Sequence, residues 1–324
     1  MPASSLFQGL LCALGAGVLW GLVFITPAIL TDYPPALLAF GRYLAFGLVC
    51  LPLAWRDRRR LAPLSRADWL AAFELALIGN ILYYLCLAAA IQRSGVPLPT
   101  LIIGTLPLVI AIVANLRERL PWLRLLPSLV LIGSGLLLAR LHELPAGDSG
   151  PLGSGPLGSG PLGSGLILAV AALACWTWYP LRNARWLKRH PALASSTWAT
   201  AQGLATLPLA LLGMAGSLGW QVGGASFSQP LGPRPALYVG LMLAIGLLAS
   251  WLGTLLWNRA SRLLPTTLSG QLIVFETLAA LLYAYLWRGE APGLLTATGI
   301  LLLISGVLAG VHACQNSGRT GDKT

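Results

Sequence analysis

One carboxylate in this sequence lies where a charge is costly. Glu276 is near the middle of an apolar segment that begins at Leu264 and reads LPTTLSGQLIVFETLAALLYAYLWRGE. As a helix, the segment places Glu276 about 18 Å from its start, near the midplane of a hydrocarbon core about 30 Å thick. Three roles fit such an acid: a proton-coupling carboxylate, a counter-ion for a cationic solute, or a structural acid paired with a polar neighbour. Gln271, five residues earlier, is a polar candidate for the same site.

Four further side chains have the chemistry to handle a solute. Arg42, in the apolar run FGRYLAFGL, is long enough to reach the membrane surface or to contact a substrate carboxylate. Asn80, in the middle of another apolar run, is a candidate for a hydrogen bond to a substrate or to a neighbouring helix. Trp20 and Trp176 either line a cavity that stacks on an apolar, aromatic or cationic solute, or pack only against other helices.

Signatures of catalysis and of metal binding are absent from the sequence. There is no HExxH metal motif and no P-loop. The five cysteines contain no CxxC pair, and the three histidines are far apart in the chain. We therefore expect no enzymatic activity, no cofactor and no metal site, and any transport must be driven by a gradient.

The composition defines the elements that must position these residues. Of the 324 residues, 56% are hydrophobic and only 10% are charged, with a mean hydropathy of +0.75, which is too apolar for an ordinary water-soluble domain. The sequence predicts an all-α integral membrane protein, and the run that starts near Phe7 is expected to be a retained first helix. Ten apolar runs are long enough to span a bilayer, near residues 7–30, 35–55, 69–91, 97–116, 121–139, 165–185, 194–217, 236–258, 264–287 and 292–313.

The basic residues support ten crossings. Most of the 21 Lys and Arg residues fall on one side when the loops are assigned alternately to two sides, and Arg42 lies inside a predicted helix. The opposite side carries only Arg93, Arg140, Arg234 and Arg288. The positive-inside rule then places both termini in the cytoplasm. The net charge of +11 is explained by these loops, so no nucleic-acid partner is expected.

Two sparse matches indicate an internal duplication. The interval from Gly9 to Trp20 equals that from Gly165 to Trp176, and Pro121 to Gly135 equals Pro292 to Gly306. Because each copy holds five helices, the second copy must enter the membrane from the other side, as in inverted-repeat transporters. We predict a first repeat at 7–139, a flexible Gly/Pro/Ser linker at 140–164, a second repeat at 165–313 and a cytoplasmic tail at 314–324. The GPLGS copies of the linker read equally as natural slippage or as an engineered segment.

The chain resembles the ten-helix EamA-type members of the drug/metabolite transporter superfamily over residues 7–313. The resemblance rests on Trp20-Gly21, Arg42, Pro107 with Glu118, and Glu276 with Glu290. Thr277 stands where the family usually has a proline after the acid. The resemblance implies transport of small metabolites across the inner membrane, often outward, by alternating access between two five-helix repeats.

These observations lead to a functional hypothesis with two alternatives. We expect an exporter of amino acids or related amphiphiles, driven by a proton or substrate gradient. Glu276 would couple protons or recognise an amine, Arg42 would contact a carboxylate or gate the site, and Asn80, Trp20 and Trp176 would line the cavity. The alternatives are a proton-coupled exporter of lipophilic cations and a non-transporting scaffold or lipid-handling protein. The expected partners are a small-molecule solute and the lipid bilayer.

Overall fold

The chain folds into helices only, over the part that the structure describes. The computed structural model describes residues 3–94, 97–118, 122–141, 160–221, 231–289 and 291–320, and no strand occurs in these ranges. The first five helices are α1 (Ala3–Ile29), α2 (Pro35–Leu61), α3 (Arg66–Ser94), α4 (Pro97–Gly104 and Leu106–Glu118) and α5 (Trp122–Leu141). The next five are α6 (Gly160–Arg189), α7 (Ser195–Gln221), α8 (Pro235–Leu263), α9 (Thr266–Leu272 and Val274–Arg288) and α10 (Leu294–Thr320).

Among the described residues, seven helices are long and apolar enough to cross a membrane. They are α1, α2, α3, α6, α7, α8 and α9. Helices α5 and α10 contain shorter apolar stretches, at Leu126–Gly135 and Leu294–Gly310. The prediction of an all-α membrane protein is therefore confirmed, while the count of ten crossings stays a prediction.

Several predicted boundaries differ from the observed helix ends, most of all at the linker and the tail. Helix α6 begins at Gly160, so the last five residues of the predicted linker are helical. Pro161 is compatible with this start because proline is tolerated in the first turn of a helix. Helix α10 continues to Thr320, which takes in most of the predicted tail. Residues 142–159 of the linker and 321–324 of the tail lie outside the described residues.

Two helices are interrupted at corresponding places in the two halves. Helix α4 breaks at Thr105, whose Oγ1 donates to the Ile102 carbonyl over 2.7 Å. Pro107 contributes to this break because it has no N–H group and clashes with a helical carbonyl four residues earlier. Helix α9 breaks at Ile273, three residues after Gly270, whose carbonyl accepts the Ile273 N–H over 3.3 Å. Each break gives the following segment a new helix N-terminus inside the protein.

Helices α3 and α8 each contain a π-helical segment. These segments are Leu75–Leu82 and Gly246–Leu252. The turns after α1 and α6 are also alike, because the Tyr33 N–H bonds Leu30 O and the Leu193 N–H bonds His190 O over 3.2 and 3.3 Å. The two halves thus share the order of elements, which supports the predicted duplication without fixing its orientation in a membrane.

Corresponding helices pack on each other across the two halves. Helix α2 packs against α7, and α5 packs against α10. Helix α1 packs on α8 and α9 of the second half, and α6 packs on α3 and α4 of the first. The site described below lies where α1, α3, α6, α8 and α9 meet.

The loops form two groups at opposite ends of the helices. At the end that carries most of the arginines, Thr197 of α7 donates to Asp57 of α2 over 3.1 Å, and Arg262 of α8 donates to the Pro191 carbonyl over 2.9 Å. At the other end, Gln92 of α3 donates to the Tyr33 carbonyl over 2.7 Å. We call these the arginine-rich end and the opposite end. Every one of these contacts joins loops that alternate crossing assigns to the same side.

Candidate functional site

The break in α9 places Glu276 in the first turn of a helical segment. The Glu276 N–H donates to the Ile273 carbonyl over 2.9 Å, and the residue is only 3% exposed. Helix α1 approaches this turn closely, since a Cβ on Gly17 would lie 2.8 Å from the Glu276 nitrogen. Free N–H groups at a helix start interact favourably with negative charge. The break therefore places the buried acid at the start of a helical segment deep inside the protein.

Trp176 connects Glu276 to a group of stacked rings. Its Nε1 donates to Glu276 Oε2 over 3.2 Å. The Trp176 ring stacks on Tyr83 at a centroid distance of 4.5 Å and on Tyr179 at 5.2 Å. Trp20 meets Trp176 edge-on at 5.0 Å. Together with Trp257, which lies 5.2 Å from Trp20, these residues form the central aromatic cluster: Trp20, Tyr83, Trp176, Tyr179 and Trp257.

Trp20 is fixed to the π-helical segment of α8. Its Nε1 donates to the Ala249 carbonyl over 3.0 Å. That carbonyl lies within the π segment, and the N–H of Gly253 bonds Leu248 and Ser250 instead. A Cβ on Gly253 would lie 2.7 Å from Trp20 Nε1, so only glycine leaves room for the ring. The structure therefore places Trp20 and Trp176 together, at the junction of the two halves.

Arg42 points into the protein rather than to its surface. It is 5% exposed, and its Nε donates to Ser250 Oγ of the α8 π segment over 2.9 Å. Its guanidinium lies over the rings of Tyr43 and Tyr84, at 4.9 and 4.7 Å from their centroids. Nη1 is buried without a hydrogen-bond partner. A buried donor with no partner is costly, and an anionic solute group is one way to satisfy it.

Asn80 and Gln271 occupy different surroundings. Asn80 is 8% exposed and lies in the π segment of α3, three residues before Tyr83 of the cluster. Gln271 is fully buried in the short first segment of α9, and a Cβ on Gly310 of α10 would lie 1.8 Å from its Oε1 and 2.9 Å from Ser128 Oγ of α5. Neither polar atom of the Gln271 amide has a partner. The expectation that Gln271 shares a site with Glu276 is not met, because its side chain lies against α5 and α10.

The sequence did not assign four of the observed residues to the site. Tyr83 is 2% exposed, its hydroxyl has no partner, and it lies within electrostatic reach of both Glu276 and Arg42. Tyr179 follows Trp176 by three residues, a spacing that puts both on one helix face and that could have indicated it. Trp257 and Ser250 had no sequence signal, since their contacts with Trp20 and Arg42 depend on how α8 packs.

A buried polar network anchors the second-half side of the cluster. The Tyr179 hydroxyl donates to Gln202 Oε1 of α7 over 2.7 Å. Asn183 of α6 accepts from Trp198 Nε1 over 2.8 Å and donates to Asn258 of α8 over 2.7 Å. Satisfied buried networks of this kind rigidify the helices that they join. Tyr179 is therefore held in place by α7 and α8 as well as by its own helix.

Comparison with known proteins assigns the family. The model of the EamA-like transporter family matches residues 7–141. The inner membrane protein YtfF of Escherichia coli (strain K12) is 48% identical over 314 residues, which cover 95% of this chain and 96% of that protein. The chain belongs to the EamA-like transporter family. It is therefore a membrane transporter of the drug/metabolite transporter type, as the resemblance implied, and not an enzyme.

A solved structure shows the same fold as this EamA-like transporter. One crystal structure superposes with a TM-score of 0.69 over 93% of this chain and 95% of the other, at 16% sequence identity. Identity at that level supports the fold alone. The site of this family member must therefore be argued from its own residues.

Proposed function

We propose that the protein exports amino acids or related small amphiphiles, driven by a proton or solute gradient. The observation that carries this proposal is a buried acid and a buried base beside the same aromatic cluster. Glu276 and Arg42 are 3% and 5% exposed, and among the described residues no ion pair joins them. A zwitterion offers an ammonium group to the first and a carboxylate to the second. Buried charges are tolerated when they are paired, so such a solute satisfies both.

Each residue has a distinct role in this proposal. Glu276 binds the amine or the coupling proton, and Arg42 binds the carboxylate through its unpartnered Nη1. Trp20 and Trp176 line the cavity with flat apolar faces, which suit an apolar side chain. Asn80 lines the same cavity from α3. Differential affinity of the solute for the inward-open and outward-open states biases the equilibrium between those states, and the gradient sets the direction of net movement.

Flux measurements on reconstituted protein test the proposal. Purified protein in proteoliposomes is assayed with a panel of amino acids and cationic dyes, with and without a pH gradient. We expect saturable amino-acid flux that Glu276→Gln reduces at least tenfold. The matched control is Asp57→Asn, which makes the same chemical change where α2 contacts Thr197, away from the cluster. If Glu276→Gln retains the full gradient-driven flux, Glu276 has no role in coupling.

Export of lipophilic cations is the second candidate, favoured by the contact between Glu276 and a stacked aromatic group. Such a cargo needs the acid and the rings but has no carboxylate for Arg42. Arg42→Gln separates the two functions. If the cargo is zwitterionic, Arg42→Gln abolishes amino-acid flux. If the cargo is a cation, Arg42→Gln leaves dye flux intact. Membership of a transporter family decides against a non-transporting scaffold.

The proposal includes an inner-membrane location with both termini in the cytoplasm. The similarity to an inner membrane protein supports the location, and the clustering of arginines at one end of the helices supports the orientation. Reporters fused to the C-terminus test it: a cytoplasmic fluorescent protein is expected to be bright and a phosphatase that needs the periplasm inactive. A dark fluorescent protein with an active phosphatase would place the C-terminus, and with it the arginine-rich end, in the periplasm.

A further inference from the structure

A continuous line of contacts leads from the arginine-rich end to the central aromatic cluster. Helices α3 and α6 run in opposite directions and pack closely over Leu75–Ser94 of α3, while side chains bridge them nearer the arginine-rich end; we call this contact the α3–α6 seam. The character of the contacts changes along the seam, from polar side-chain pairs near the end to aromatic rings at the centre. In order from the arginine-rich end, they are Asp68 with His190, Glu74 with Arg182, Gly79 with Tyr179, and Tyr83 with Trp176.

The outer part of this seam is polar and partly solvated. His190 Nε2 lies 3.2 Å from Asp68 Oδ1, and Arg182 Nη2 lies 3.0 Å from Glu74 Oε2. The Glu74 and Arg182 side chains are 42% and 28% exposed. A cavity of about 700 Å³ lies at the mouth of the seam, between the α2–α3 loop and the α6–α7 turn, with Asp68 and His190 among its lining residues. Water therefore already reaches the start of this line.

The corresponding seam of the other half, between α1 and α8, is closed differently. At the opposite end Arg234 forms an ion pair with Asp32, and this guanidinium holds the pKa of the Asp32 carboxyl below its usual range. Beside the ion pair, Tyr33 stacks on Tyr238 at 4.9 Å, and the two residues are 1% and 4% exposed. Between this contact and Trp20, no buried carboxylate, guanidinium or imidazole occurs in the described parts of α1 and α8.

We propose that the α3–α6 seam is the gate through which the central site opens to the arginine-rich end. Asp68, His190, Glu74 and Arg182 are its positioning residues, because they control access to the site without touching the solute. Parting the seam breaks the exposed Glu74–Arg182 ion pair, which holds helices together only weakly, and the hydrogen bond from Trp186 Nε1 to Asp68 Oδ1. The Trp186 ring also stacks on Trp198 of α7, so it keeps an aromatic partner when α3 moves away. Parting the α1–α8 seam would separate two stacked, buried tyrosines from each other. The gate does not depend on which solute is carried.

Access to a cysteine at the centre measures the gate without any cargo. The five native cysteines are replaced by serine, and Asn80→Cys is labelled with a membrane-impermeant maleimide from either side of membrane vesicles. Weakening both side-chain contacts with Asp68→Asn and Glu74→Gln is expected to speed labelling several-fold from the arginine-rich end only. If Asn80→Cys disturbs folding, Thr254→Cys on α8, which lies beside Tyr179, is the second reporter.

Two matched variants make the result specific. Exchanging the charges with Glu74→Arg and Arg182→Glu restores an ion pair and is expected to return labelling toward the native rate. Asp32→Asn weakens the ion pair of the opposite seam and is expected to leave labelling from the arginine-rich end unchanged. The proposed gate would be refuted if folded Asp68→Asn/Glu74→Gln protein is labelled at the unsubstituted rate. It would also be refuted if the labelling rate rises equally from both sides of the membrane. If none of the amino acids tested in proteoliposomes is transported, the labelling result still holds, because labelling needs no solute.

Discussion

Trp20 and Trp176 occupy corresponding positions on α1 and α6, yet their indole N–H groups have unlike partners. Trp20 donates to the Ala249 carbonyl, a backbone group that keeps its position and its charge. Trp176 donates to the Glu276 carboxylate, which can gain or lose a proton. One half thus uses the tryptophan as an anchor and the other uses it as a contact to a titratable group. The two halves present the same ring, and the partner determines what each ring does.

Two glycines give the largest expected effects: Gly79, which packs against Tyr179 beside Trp176, and Gly253, which packs against Trp20. A Cβ on Gly79 would lie 2.1 Å from Tyr179 Cδ2 and 2.8 Å from Tyr179 Cβ, so the ring has no room to turn away. We expect Gly79→Ala to lower the free energy of unfolding by about 1–3 kcal/mol or more. Gly253→Ala should cost less, since its nearest clash is with the edge of Trp20 at 2.7 Å. Thermal unfolding in detergent ranks the two, and a greater loss in Gly253→Ala would contradict the packing described for α3 and α6.

Removing the Trp20 donor tests its role as an anchor. Trp20→Phe keeps an aromatic ring but leaves the Ala249 carbonyl buried without its side-chain donor, which costs about 1–3 kcal/mol. The expected result is a lower unfolding temperature with solute affinity changed little. A variant that unfolds like the wild type but binds its solute more weakly would show that the Trp20 N–H serves the solute rather than the Ala249 carbonyl.

The same substitution on α6 should have the opposite profile. A carboxylate that loses a donor can take up a proton, a relief that a backbone carbonyl lacks. Trp176→Phe is therefore expected to lower stability less than Trp20→Phe and to lower gradient-driven flux more. Unfolding temperature and flux are measured on the same two preparations. If Trp20→Phe and Trp176→Phe have equal effects on unfolding temperature and on flux, the two tryptophans do not differ in role.

Substitution of Gln271 has the smallest expected effect and tests whether this residue belongs to the solute site. Its amide is buried against α5 and α10 with both polar atoms unpartnered. Replacing such a group by an apolar one of similar shape is nearly neutral or stabilising. We expect Gln271→Leu to change the free energy of unfolding by no more than about 1 kcal/mol, in either direction, and to leave flux intact. A large loss of flux in a stable variant would return Gln271 to the solute site.

Helical periodicity explains which site residues could be found in the sequence. Glu276, Trp20 and Trp176 stood out because of charge, size and repeat position, and the structure brings them together. Gln271 precedes Glu276 by five residues, which at about 100° per residue sets the two about 140° apart on a continuous helix. That separation already argues against a shared face, and the break at Ile273 separates them further.

The π-helical segments explain what the sequence could not provide. Their extra residue per turn frees the Ala249 carbonyl for Trp20 and places Ser250 against Arg42. No residue pattern in either segment distinguishes it from ordinary apolar helix, because the distortion depends on packing between the halves. The inward direction of Arg42 follows from the same contacts. The sequence alone allowed equally well a guanidinium that reaches the membrane surface.

The origin of Glu276 and Arg42 on different helices has a stereochemical consequence for the proposed zwitterionic solute. The acid comes from α9 and the guanidinium from α2, so the two charged groups cannot exchange places. A solute held at both charges and against the rings is fixed at three different points, and polar groups placed in this way set the orientation of a ligand. Three unlike attachment points distinguish a chiral molecule from its mirror image. We therefore expect the proposed transport to discriminate between the two enantiomers of an amino acid.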